Sequence, residues 1–144
     1  MKKIALLMAS AAVAAVISGC TAMQYAPDEL KWTTKHSDDE IYGKAVDCAT
    51  SMLGTPQNGE QFFVYESDKL HKFTTKSWVQ IRPNPILTAW ASVLFHFSVN
   101  KKQAVIRATD PTRDGQPLHW EPEVNSMTEV VVDLEKKFKQ CVGE

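Results

Sequence analysis

Residues Ile86 to Val99 read ILTAWASVLFHFSV, and the way this stretch is read decides the fold. Asn84-Pro85 just ahead of it is a helix-start signal, and Leu87, Trp90, Ala91 and Leu94 recur at helical spacing. Against that, Leu87, Ala89, Ala91, Val93, Phe95, Phe97 and Val99 fill every second position without a break. Thr88, Ser92, His96 and Ser98 hold the opposite face, with Trp90 and Leu94 beside them. The unbroken alternation outweighs the shorter helical match, so the stretch reads as a long strand half-buried on one side. Only residues 86–92 leave room for a helix.

Working outward, the period of two continues. Gln61 to Glu66 (QFFVYE) is rich in aromatic and β-branched residues and reads as a strand. Asp68 and Lys69 make a turn, Lys72 to Arg82 (KFTTKSWVQIR) reads as the next strand, and Pro83-Asn84-Pro85 ends it. Downstream, Asn100-Lys101-Lys102 is a hairpin turn and Gln103 to Thr109 (QAVIRAT) its partner strand. Asp110 to Val124 carries three prolines and a glycine and reads as loop.

Both flanks switch to a helical period. Ser37-Asp38-Asp39-Glu40 and Ser126-Met127-Thr128-Glu129 each match the capping box, in which a Ser oxygen and a Glu carboxylate satisfy orphan backbone donors. Ile41, Ala45, Cys48, Ala49 and Met52 form an apolar stripe after the first box, with Gly54 and Pro56 as stop signals. Met127, Val130, Val131, Leu134, Phe138 and Cys141 form another after the second. The expected class is α+β: one antiparallel sheet of about four strands, order α-β-β-β-β-α, with both helices on one face. Residues 37–144 would be this single domain, of ordinary size.

The N-terminal part reads differently. Lys2 and Lys3 precede an uncharged, mostly apolar run from Ile4 to Ser18, shorter than the roughly 20 residues that span a bilayer. It closes on Ile17-Ser18-Gly19-Cys20, which resembles the lipobox of bacterial lipoproteins. The resemblance implies that residues 1–19 are a signal peptide and that Cys20 becomes an acylated N-terminus carrying several chains, palmitate-like in character. A single chain would hold a protein to a membrane only marginally. In that family the residue after the Cys influences sorting. Thr21, in place of the Asp associated with inner-membrane retention, implies the inner leaflet of the outer membrane, with the domain in the periplasm. Residues 20–36, containing Pro27 and no clear period, read as a tether spanning roughly 20–24 Å if flexible. With Cys20 assigned to lipid, Cys48 and Cys141 remain. An oxidising compartment permits a disulfide between them. Two buried free thiols are the alternative, and their spacing does not suit a metal.

Several functions are disfavoured. Two of the 16 Lys+Arg precede Cys20 and none of the 17 Asp+Glu does, so the rest carries 14 against 17, a net charge of −3. That gives no basic stripe for nucleic acid. His36, His71, His96 and His119 are scattered, with no metal-ligand spacing. There is no nucleophile elbow and no phosphate loop, and Asp110, Arg113 and Asp114 read as turn punctuation. The expectation is a non-enzymatic envelope lipoprotein without cofactor or metal, anchored through Cys20 and serving a protein partner in binding or assembly. A carrier for an apolar ligand is the alternative, and an envelope hydrolase a more remote one. The candidate partner patch is Trp78, Trp90 and Leu94 on the outer sheet face, with Trp120. The competing reading has the 110–124 loop, through Leu118 and Trp120, covering it.

Overall fold

In a computed structural model, residues 23–54 and 59–143 are described. The signal segment, Cys20, Thr21 and Pro56 lie outside them. The alternating stretch is a strand, β4 (Ala89–Asn100), and it is the centre of the sheet. Ala91, Val93, Phe95, Phe97 and Val99 are all buried on its inner face. No helix forms at 86–88, and the strand begins at Ala89. β3 (Lys72–Ile81) pairs with it antiparallel from Lys72↔Ser98 to Ile81↔Ala89, and β2 (Phe63–Ser67) pairs with β3 at the edge.

The sheet has six strands rather than about four. One addition is β1 (Asp28–Thr33), inside the stretch expected to be a tether. It lies along β5 (Gln103–Arg113) as the other edge strand, from Asp28↔Ala108 to Thr33↔Gln103. Asp28, Leu30 and Trp32 alternate toward the core, and six residues are too few for that alternation to stand out beside Pro27.

The other correction falls on residues 110–124. β5 continues to Arg113 by way of a β-bulge: the register with β4 shifts between Leu94↔Thr109 and Ser92↔Thr112, and Asp110 takes φ +54°. A bulge is also where a strand tolerates a proline such as Pro111. Asp114 and Gly115, both at positive φ, then turn the chain into the short β6 (Gln116–Pro117), beside β5 on the side away from β4. The order is β1-β5-β4-β3-β2, with β6 following β1 along the flank of β5.

Helix α1 (Asp38–Met52) starts as its sequence implies, with Ser37 Oγ accepting the Glu40 amide at 3.3 Å. Gly54 follows its end for a reason other than a left-handed cap. Its α-carbon abuts the Trp78 carbonyl, leaving no room for a Cβ. Helix α2 (Glu121–Val142) starts five residues before the expected capping box. Trp120 is its N-cap without a side-chain bond, and Pro122 fits the first turn, where a missing N–H costs nothing. Ser126 is therefore inside the helix, and its Oγ accepts the Arg82 amide at 2.7 Å.

Both helices pack on one face, where Phe73, Phe95, Phe97, Phe138, Ile41 and Met127 are fully buried. Phe73, Phe97 and Phe138 meet ring to ring at 5.2 and 5.6 Å. The disulfide links Cys48 of α1 to Cys141 of α2, Cα atoms 5.9 Å apart and 93 positions apart in sequence. Cys48 is buried, while Cys141 is exposed in the last turn, so the bridge lies at the rim of the helix pair.

Candidate functional site: the open face of the sheet

With the helices on one side, every second residue of each strand faces away. The register sets these residues in straight rows. Tyr65 of β2 opposes Thr74, Thr74 opposes His96, His96 opposes Arg107, and Arg107 opposes Glu29 of β1. This row crosses five strands and floors a recess of about 280 Å³. No described element covers it.

At its centre, hydrogen bonds fix the state of His96. Thr109 donates its hydroxyl to the Asp110 carboxylate at 2.8 Å, so its oxygen accepts from His96 Nε2–H at 2.7 Å. Nδ1 is then the acceptor for the Thr74 hydroxyl at 2.9 Å. Burial, and then the Arg107 guanidinium, hold the imidazole below its usual pKa, with Asp110 pulling the other way. A neutral ring with both nitrogens engaged is a positioned polar group rather than a free base.

Two rows further along, Trp78 opposes Ser92, which places it diagonally between Trp90 and Leu94 on the same face. Trp90 is 51% exposed, and Trp78 and Leu94 are partly exposed. Trp78 is held from two sides. Its amide donates to Gly54 O at 3.2 Å, and its indole Nε1–H to Glu60 Oε2 at 3.4 Å. These three patch residues are neighbours. Trp120 is not among them: it lines a separate recess of about 290 Å³ with Arg113, His119 and Glu123. The covering reading fails because residues 110–117 stay in the plane of the sheet and Leu118 is buried in the core.

The other sequence candidates are engaged structurally. His71 Nε2 meets Asp39 Oδ1 at 2.6 Å, and Arg113 pairs with Glu123 and with Asp114. Among the described residues, no group of three or more His, Cys, Asp or Glu is placed to hold a metal. One residue the sequence reading passed over is Glu135. It is 1% exposed beneath β1, and its carboxyl is pushed up to about 9 by burial, then by the hydrogen bond and charge of Asp28, then by Glu29. Val131 and Phe138 sit four before and three after it on the same helix face, which was a legible signal.

No family model matches the sequence, and no curated protein matches it. Among solved structures, the chain is similar to a TBP-like protein from Parabacteroides distasonis, with a TM-score of 0.57 and 11% identity over 86% of this chain and 97% of that one. It is also similar to a DUF4468 family protein from Bacteroides ovatus, with a TM-score of 0.64 and 7% identity over 82% of this chain and 86% of that one. At such identities the likeness is one of fold.

Proposed function

We propose that this chain is a lipid-anchored envelope protein that works by binding a protein partner through the open face of its sheet. Cys20 carries the lipid, Thr21 directs the protein to the inner leaflet of the outer membrane, and the domain stands in the periplasm. The observation that carries the binding role is the uncovered face itself. It runs across five strands, with Trp78, Leu94 and Trp90 adjacent and the neutral His96 held beside them. Apolar and aromatic side chains that a fold leaves exposed together mark interaction sites. A net charge of −3 after Cys20 favours a protein over a nucleic acid.

Cross-linking in intact cells, followed by identification of the attached protein, tests this. Recovery of one dominant envelope protein, lost in Leu94→Asp with folding unchanged, is the expected result. Recovery of no specific protein would sink it.

A further inference from the structure

Three exposed large apolar residues gather at one end of the sheet, while Val64 and Tyr65 lie on edge strand β2 and Leu70 alone in the β2–β3 turn at the other end. β4 runs from the 83–88 loop at one end to the Lys101-Lys102 hairpin at the other. At the loop end, Ile86 is 91% exposed, Leu87 55% and Trp90 51%. Two of the four amides of this loop are paired within it. Asn84 Oδ1 accepts the amides of Ile86 at 2.9 Å and Leu87 at 2.8 Å, and Pro83 and Pro85 have no N–H. Those two amides, on the most exposed apolar residues of the loop, keep their partner when water is excluded.

The N-terminal chain arrives at the same end. β1 begins at Asp28, level with Ala108 and Phe95, and runs toward the lysine hairpin, so the chain before it heads the other way. The Met23 amide donates to His119 O at 2.8 Å, just past Pro117, which is level with Thr112 and Ser92. Met23 is thus held near the Ser92 level, in the half of the sheet that ends at the 83–88 loop. Tyr25 is buried, and Met23 is itself 39% exposed. Only Thr21 and Ala22 therefore separate the described chain from Cys20, rather than sixteen residues. Fully extended, this connection reaches at most about 11 Å.

We infer that Ile86, Leu87 and Trp90 form a membrane-inserting tip, seated in the bilayer that holds the lipid of Cys20. The inference rests on the anchoring reading above. A short connection leaving from one end of the sheet holds that end against the membrane surface. The apolar tip is then within reach of the acyl region, with Trp90 at headgroup depth, where amphipathic rings settle. Half-buried Trp120, at the start of α2, flanks the same end. The partner surface is left to the sheet face beyond the tip, around Trp78, Leu94 and His96.

The test uses the full chain purified from envelopes and reconstituted in phosphatidylethanolamine and phosphatidylglycerol vesicles containing acyl-brominated phosphatidylcholine. Tryptophan emission reports contact with the bromines, and the mass of the N-terminal peptide reports acylation of Cys20. The expected result is quenching that disappears in Trp90→Phe. It also disappears in the Ile86→Asp, Leu87→Asp double variant, although both variants still float with the vesicles. An acylated, floating protein whose Trp90 is not quenched would overturn the tip and leave the anchor standing. An N-terminal peptide without acyl mass would overturn the anchor and the tip together.

Discussion

The two ends of this sheet solve the problem of a strand terminus in opposite ways. At the hairpin end, Lys101 and Lys102 both take positive φ, +48° and +63°, unfavourable for side chains with a Cβ. The Asp38 carboxylate at the start of α1 accepts both their amides, at 2.9 and 2.8 Å. Asp39 takes His71 from the β2–β3 turn, and the Thr34 amide bonds Lys102 O at 2.7 Å. Helix start, two turns and the end of β1 are knitted into one polar cluster. At the other end, the 83–88 loop pairs the amides of Ile86 and Leu87 with Asn84 Oδ1 and turns its apolar side chains outward. One end uses polar groups to hold the fold together. The other carries apolar groups that the fold does not use, which makes them available for something else.

The sharpest ways to press this contrast begin with the elements that secure the closed half. Replacing Cys48 and Cys141 by Ala should destabilise the domain by about 4 kcal/mol, since the bridge closes a loop of 93 positions. Urea unfolding at fixed pH measures it, and reductant should act on the parent protein in the same direction.

Glu135→Gln should act with the opposite sign. The folded carboxyl titrates near 9 against an ordinary 4.5, so between those values the folded state holds a proton that the unfolded state has released. The resulting cost is absent below about pH 4.5 and grows as pH rises toward 9. Removing the charge should raise stability by on the order of 3 kcal/mol at pH 7, at 1.36 kcal/mol per pKa unit. It should also flatten stability against pH across that window. An unchanged pH profile would show that Glu135 ionises in the fold.

Asp38→Ala leaves two turn amides without their acceptor in a strained hairpin. A loss of about 2 kcal/mol is expected by thermal unfolding. At the far end, Ile86→Asp or Trp90→Asp should shift stability by no more than about 0.5 kcal/mol, as exposed substitutions do. A loss comparable to that of Asp38→Ala would erase the distinction between the two ends.

The legibility of the sequence follows the same divide between local and distant causes. The cap at Ser37, the strand character of 89–100 and the pairing of Cys48 with Cys141 rest on periodicity, capping chemistry and cysteine count, and the structure has all three. The Asp114-Gly115 turn was also locally coded, as the dipeptide that favours a two-residue hairpin, although three nearby prolines made the region look like loop. The Ser126 box matched its pattern but is overruled, because Pro122 can open the helix earlier and the Arg82 amide needs the Ser126 oxygen. The candidate patch was half legible. Alternation put Trp78, Trp90 and Leu94 on one face, but nothing local could say that Trp120 faces elsewhere.

By itself, the sequence determined which of the central segments alternate, which are helical and which side of each turns inward. These are properties of residues a few positions apart, where sterics and periodicity act without reference to the rest of the chain. Only the tertiary structure decided that residues 28–33 close the sheet as an edge strand, that the face around His96 stays open, and that the Met23 amide pairs with His119 O. Each depends on a register between segments far apart in sequence. Register is settled by the joint burial of side chains and the pairing of backbone groups across the whole sheet.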